Sequence, residues 1–319
     1  MRVLSLDMGG THIGCAVVED DKLMATGDIS FSGAQSLRAL LPVIEQELRR
    51  LTQSVGMLPS DAAGLAIGYP GIIDFRTSTI LSDIGKYADG PGIDISGWSQ
   101  KTLGIPMAIE NDARMALLGE HYVGAAAGQD DVVMLTLGTG IGGTVMMGGR
   151  LVRGAHAHAG SVGGHFVVDL NGRNCICGGI GCAEAEASGS TLPDVARKWK
   201  GFAGSSLNNG DPTNFKALFE EAAKGDQVAV EIRERCLHVW AANVVTQALA
   251  YDPEIVVIGG GVMRSSDVII PFIQNYIDNH SWLVWGKPRI LPAKLGNNAA
   301  FLGGVPLMIE AAQLRAAKG

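Results

Sequence analysis

The chain has 319 residues and a formal net charge of −7, with 47% hydrophobic residues. That length supports two lobes, each with its own core. The acidic balance, with no run of five basic residues, argues against a nucleic-acid surface. No apolar stretch reaches the roughly 18 residues of a membrane span. Residues 1–7 are too short and too soon charged for a signal peptide, so a soluble, cytoplasmic protein is expected.

Residues 2–6 read as a strand, Gly9-Gly10-Thr11 as a tight turn and residues 13–18 as a second strand. Leu37, Leu40, Leu41, Ile44, Leu48 and Leu51 recur at steps of three and four, the spacing of an amphipathic helix. Residues 63–67 form a short buried strand that ends in Gly68-Tyr69-Pro70-Gly71, a loop whose backbone can approach a ligand. Residues 107–109 are a strand running into Glu110-Asn111-Asp112, and a helix follows over about 113–121. The second half repeats the first pattern: a strand at 132–137, a turn at Gly138-Thr139-Gly140-Ile141-Gly142-Gly143 and a strand at 144–147. A long helix spans 227–250 and ends at Asp252-Pro253; a buried strand at 255–258 runs into Gly259-Gly260-Gly261; residues 298–317 are helical.

Three of the five cysteines fall in Cys175-Ile-Cys177-Gly-Gly-Ile-Gly-Cys182-Ala-Glu184, with His165 ten residues upstream. Three thiolates and an imidazole make a complete tetrahedral Zn²⁺ shell, and four protein ligands leave no open position, which favours a structural ion. A disulfide with a spare thiol is the alternative, but thiols at this spacing in a reducing compartment are more often metal ligands. Cys15 and Cys236 lie in apolar segments and read as buried core cysteines.

Each glycine turn presents consecutive N–H groups, an anion nest suited to phosphate. One turn alone also serves an ordinary hairpin; two, each with an adjacent threonine, strengthen the phosphate reading. Asp7, two residues before the first turn, could hold Mg²⁺ through water or cap the turn. Asn111-Asp112 follows a buried strand and opens a helix, where α/β folds place active-site groups. Asp112 is the general-base candidate, held ionised by the helix N-terminus; a plain N-cap is the competing role.

Together these segments resemble the ROK family (repressors, open reading frames, kinases) of the actin/hexokinase/heat-shock ATPase superfamily. Leu6-Asp7-Met8-Gly9-Gly10-Thr11 and Leu137-Gly138-Thr139-Gly140-Ile141-Gly142-Gly143 are similar to its two phosphate loops. Glu110-Asn111-Asp112-Ala113 resembles its catalytic segment, Arg153-Gly154-Ala155-His156 through His165 its sugar signature, Cys175 through Glu184 its zinc signature, and Gly259-Gly260-Gly261-Val262 its adenosine loop.

The resemblance implies a two-lobed α/β fold of the actin-like (ribonuclease H-like) ATPase class, with ATP and sugar in a cleft between the lobes. It implies a small lobe over 1–115, with the helix at about 300–319 packing back on it, and a large lobe over 116–299. Asp112 is then the base that takes a proton from a sugar hydroxyl. Asn111, His165 and Glu184, with Gly71 and Ser161, face the sugar. Gly9, Gly10, Thr11, Gly138, Thr139 and Gly140 line the phosphates, Asp7 lies near Mg²⁺, and Gly260 and Gly261 face the adenosine. His165, Cys175, Cys177 and Cys182 hold structural Zn²⁺, His165 using its other ring nitrogen for the sugar.

The implied activity is ATP-dependent phosphorylation of a hexose, glucose by default, in a homodimer or homotetramer. Mannose, fructose, allose and N-acetylhexosamines are the other acceptors. A sugar-responsive regulator is the competing class, and the first phosphate strand begins at Arg2, which leaves no room ahead of it for a DNA-binding domain. Two sugar-facing parts depart from the family pattern. Ser161 stands where the signature has a glutamate, with an added glycine before His165. The segment 82–97 carries Ile84-Gly85-Lys86-Tyr87 in place of the Pro-Asn-Leu of glucokinases. His158 reads as a solvated loop histidine.

Overall fold

The computed structural model describes residues 1–33, 36–82 and 86–317. The elements of the first part are β1 (Arg2–Met8), β2 (His12–Glu19), β3 (Lys22–Ser30), α1 (Leu37–Ser54), β4 (Leu65–Tyr69), β5 (Ile72–Asp74), β6 (Thr79–Ser82), α2 (Ile95–Thr102), β7 (Met107–Asn111) and α3 (Asp112–Val123). The remainder are β8 (Val132–Leu137), β9 (Ile141–Met147), β10 (Arg150–Leu151), α4 (Ala183–Ala187), α5 (Leu192–Arg197), α6 (Phe215–Ala223), α7 (Gln227–Tyr251), β11 (Ile255–Gly259), α8 (Ser266–His280), β12 (Arg289–Pro292) and α9 (Ala299–Ala316). Among the described residues, the strands form two five-stranded sheets and a two-stranded one, β5 with β6. No helix among them is long and apolar enough to cross a membrane.

The chain divides into two compact units. The first takes Met1–Gly128, Arg153–Ser161 and the chain from Lys294 onward. Its sheet has the order β3-β2-β1-β4-β7. β1 runs antiparallel to β2 and parallel to β4, which runs parallel to β7. β1, β2 and β4 are buried along almost their whole length, as strands covered on both faces must be. α1 buries the leucine and isoleucine stripe expected from its spacing. Its first turn is closed by Asp89, whose carboxylate accepts from Leu37 N (2.7 Å) and Arg38 N (3.1 Å). α9 packs on α3 and on β1. The two helices come this close because Gly119 and Gly303 face each other: a Cβ on Gly119 would strike the Ala299 carbonyl, and one on Gly303 the Met115 carbonyl.

The second unit takes Gln129–Val152 and Val162–Ala293. Its sheet, β10-β9-β8-β11-β12, repeats the order of the first, with two antiparallel pairings followed by two parallel ones. The two strand–glycine turn–strand motifs read from the sequence are the equivalent hairpins β1–β2 and β8–β9. α7 packs against α6 and α8, with Ile232, Cys236, Trp240 and Val244 fully buried. The Trp240 indole N–H, taken out of water, donates to the Ala187 carbonyl at 3.0 Å. α7 ends where Asp252 turns left-handed (φ 45°) before Pro253. Cys15 and Cys236 are buried core residues, as expected.

β3 was not expected. It is an edge strand whose exposure alternates along its length, and Lys22, Thr26, Asp28 and Ser30 dilute its apolar signal. Ile84 and Gly85 of the unusual segment 82–97 lie outside the described residues.

Candidate active site

The expected site residues divide between the units. The first unit carries Asp7, Gly9, Gly10, Thr11, Gly71, Asn111, Asp112 and Ser161; the second carries Gly138, Thr139, Gly140, His165, Cys175, Cys177, Cys182, Glu184, Gly260 and Gly261.

In the first unit, parallel pairing sets Asp7 opposite Gly68 and Gly68 opposite Glu110, so Asp7 and the Glu110-Asn111-Asp112 step lie at the carboxyl ends of β1 and β7. This is the edge where open α/β sheets bind ligands. The turn after β1 is closed by Gly9 N donating to His12 O (2.9 Å) and by the buried Tyr87 hydroxyl donating to Gly9 O (2.6 Å). Burial pushes the Asp7 carboxyl up to about 6, and the nearby Asp112 carboxylate adds to the effect. A half-buried acid in this state gains from a cation, which fits the Mg²⁺ role drawn from the sequence.

Asn111 is the N-cap of α3. Its Oδ1 accepts from Ala113 N (3.1 Å) and Arg114 N (3.2 Å), and its Nδ2 donates to Gly71 O (3.2 Å). Asp112 Oδ1 accepts from Ala113 N at 2.8 Å. The sequence suggested that the helix N-terminus would keep Asp112 ionised. Burial instead raises its pKa, outweighing the Ala113 N–H and the Lys86 charge that lower it. A raised carboxyl pKa suits a base working near neutrality.

A buried ion network supports this step. Glu110 Oε1 accepts from Asn111 N (2.8 Å) and Arg114 Nη1 (3.3 Å), and Oε2 accepts from Arg153 Nε (2.6 Å). Arg114 also donates to Ala157 O and Ala159 O, holding the segment that leads to Ser161. Ser161 Oγ donates to His158 O at 3.1 Å, and His158 is exposed, as expected.

In the second unit, Gly138 N donates to Gly140 O (3.0 Å), and the loop carbonyls of Gly138 and Thr139 accept from Gly189 N (2.8 Å) and Ser190 N (2.9 Å). Gly138, Thr139, Gly261 and Arg264 line a cavity of about 650 Å³, within the usual range for a small-molecule site. Gly260, immediately before Gly261, is not among the lining residues; a Cβ on it would strike the Leu137 carbonyl. Glu184, on α4, turns its carboxylate to the second glycine loop, where Oε2 accepts from Ile141 N at 2.9 Å. That contact joins the segment after the cysteines to the second glycine turn.

The ligand atoms of His165, Cys175, Cys177 and Cys182 all lie within 4.8 Å of one another. Cys175 Sγ is 3.5 Å from His165 Nδ1, and Cys177 Sγ is 3.6 Å from Cys182 Sγ. A tetrahedral Zn²⁺ with bonds of about 2.3 Å to sulfur and about 2.0 Å to nitrogen requires S–S edges of about 3.8 Å and S–N edges of about 3.5 Å. The cluster fits such an ion. Nδ1 faces the sulfurs, which leaves Nε2 for another partner.

Sequence reasoning gave no role to Lys86, to the Glu110–Arg114–Arg153 network or to Arg264 of the cavity lining, whereas it had singled out Gly138, Thr139 and Gly261 of that lining. Glu110 could have been found, since a carboxylate inside an otherwise apolar strand must be paired. Lys86 carries no such signal, because a lysine in a loop is ordinarily solvated.

The paired sheets of common order define the two-lobed, actin-like ATPase fold. The family model described as the ROK family matches residues 3–311, and the chain belongs to that family. It is similar to a glucokinase of Thermotoga maritima, 31% identical over 97% of this chain and 98% of the relative. Among solved structures it resembles a ROK hexokinase from Thermus thermophilus (TM-score 0.81, 28% identity, covering 98% of this chain and 99% of that one). It also resembles a ROK family glucokinase from Streptomyces griseus in complex with glucose and AMPPNP (TM-score 0.76, 28% identity, covering 97% and 100%).

Proposed function

We propose that the chain is an ATP-dependent hexose kinase with glucose as its acceptor. The observation that carries this reading is the placement of Asp112, a half-buried carboxylate of raised pKa at the mouth of α3, beside Asp7 and the first glycine turn. Phosphoryl transfer requires in-line positioning, a cation to spread charge and a base on the nucleophilic hydroxyl. Asp112 takes the hydroxyl proton. Asn111 has one amide N–H beyond its bond to Gly71, and this donates to a second hydroxyl, with Gly71 and Ser161 close to the sugar. Gly9, Gly10, Thr11, Gly138, Thr139 and Gly140 bind the phosphates, and Gly260 and Gly261 the adenosine. Asp7 orients Mg²⁺, which when bound spreads the charge of the phosphates.

Zn²⁺ on His165, Cys175, Cys177 and Cys182 is structural in this reading. It holds the His165 tautomer, so that Nε2 meets the sugar along with Glu184. Reduced thiols in that site accord with a cytoplasmic enzyme, and the family resemblance supports a homodimer or homotetramer. ADP release from Mg-ATP across a panel of free hexoses tests the reading. Turnover of glucose, lost in Asp112→Asn, is the expected result. Turnover of another hexose alone would replace the acceptor, and none with any sugar by folded, metal-loaded protein would overturn the reading.

A further inference from the structure

Lys86 lies in the segment that departs from the glucokinase pattern. Its neighbour Tyr87 is wholly buried and donates its hydroxyl to Gly9 O at 2.6 Å, which pins Lys86 and Tyr87 beside the first glycine turn. The Lys86 side chain crosses directly over Gly10: a Cβ built there would stand 3.2 Å from Lys86 Cε and 3.7 Å from Nζ. Its positive charge reaches both Asp7 and Asp112 and lowers the pKa of each. Among the described residues it makes no ion pair within 4.0 Å. The ammonium of a half-buried lysine above a phosphate-type turn, near two carboxylates and bonded to neither, is placed for an anion that arrives between them.

We infer that Lys86 is a catalytic residue of this chain, its ammonium binding the terminal phosphate of the nucleotide over Gly10 and stabilising it during transfer. This rests on the kinase reading for its catalytic part. In the step, the acceptor hydroxyl oxygen forms a bond to the γ-phosphorus as the bond from that phosphorus to the β-bridging oxygen breaks. The electron pair leaves with ADP, and the hydroxyl proton passes to the Asp112 carboxylate. The transferring group spreads its charge over three equatorial oxygens, and the ammonium donates to one of them. A competing role, holding Asp112 or Asp7 through a direct ion pair, requires a contact that Lys86 does not make.

The test compares wild type with Lys86→Met, Lys86→Gln and Lys86→Arg, each checked for fold by circular dichroism. Calorimetry gives the affinity for ADP and for AMPPNP with Mg²⁺, and steady-state kinetics gives kcat and KM on the accepted hexose. A lost charge-assisted hydrogen bond should weaken AMPPNP by about tenfold or more in Lys86→Met while leaving ADP unchanged. The same variant should lose about 10²–10³ in kcat with little change in sugar KM, as when one transition-state donor is removed. Lys86→Arg should recover part of both losses. Unchanged AMPPNP-to-ADP preference, with kcat within about threefold of wild type, overturns the proposal; equal weakening of ADP and AMPPNP overturns it too. Should Lys86→Met fail to fold, Lys86→Gln reads the same ratio without the charge. If wild type turns over no hexose, the kinase reading fails, and the AMPPNP-to-ADP preference still decides the role of Lys86.

Discussion

Arg153 Nε donates to Glu110 Oε2 at 2.6 Å, and the same guanidinium holds Glu310 through Nη1 and Nη2 at 2.7 and 2.8 Å. Glu110 is completely buried, as is Arg114, its second cation. One carboxylate at the end of β7 is thus bonded to the loop 153–161 and to the first turn of α3, and through Arg153 it is linked to α9.

Glu110→Ala should therefore be among the most destabilising single changes in the first unit. It leaves the Arg114 charge buried with its main partner gone, and breaking a buried pair from one side costs about 3–5 kcal/mol. Urea unfolding monitored by fluorescence measures it. A loss under about 1 kcal/mol would mean that Ala157 O and Ala159 O suffice to hold Arg114.

Asp112→Asn should keep the fold and nucleotide affinity while lowering kcat by about 10²–10⁴, the range for a general base. The Ala113 N–H bond survives in the amide, so the helix start is retained. Full activity in a folded Asp112→Asn protein would remove Asp112 from the mechanism.

Cys177→Ser should abolish tight zinc binding, lower the melting temperature and raise the KM for sugar through a loosened His165. Elemental analysis of wild type should return about one zinc per chain, as a four-ligand site predicts. Retention of zinc by the serine variant would exclude Cys177 from the ligand set.

Asp226 caps α7. Burial works against its charge, but the Ala229 N–H (2.9 Å), the Ser206 N–H (2.8 Å) and the hydroxyls of Ser205 and Ser206 outweigh it and bring its pKa down to about 2 from 3.8. A carboxyl lowered on folding adds stability that is complete above its unfolded value and fades as the pH falls through the folded one. The stability difference between wild type and Asp226→Asn should accordingly be constant above about pH 5 and shrink between about pH 4 and 2. A difference that stays flat across that window would show that the cap is worth the same with or without its charge.

Much of the fold was legible because α1 carries a helical apolar stripe and β1, β4 and β11 are largely apolar runs that end at glycine turns. The leucine stripe of α1 and the glycine turns after β1 and β8 were read at their observed places. β3 escaped because an edge strand needs few apolar residues. The clustering of Cys175, Cys177 and Cys182 was legible because the three lie close in sequence, with His165 ten positions upstream of the first. Two features were not. The transfer of 153–161 to the first unit depends on Arg114 and Arg153 meeting partners up to 157 positions away. Lys86 acquires its setting only when Tyr87 reaches Gly9, 78 positions away in the chain. Local pattern carries no record of such contacts.

The ion network also bears on the order in which the protein can be completed during synthesis. The first unit is assembled from three stretches of chain, and the last of them begins at Lys294. α9, which covers β1 and closes on α3, leaves the ribosome after every strand of both sheets. Until then the Arg153 guanidinium has no Glu310, and the face of the first sheet that α9 covers is exposed to water. The second unit, almost continuous from Gln129 to Ala293, has all its strands beforehand. The first unit, whose sheet is translated before the second unit, is therefore completed only after it, and during that interval its uncovered sheet is open to aggregation.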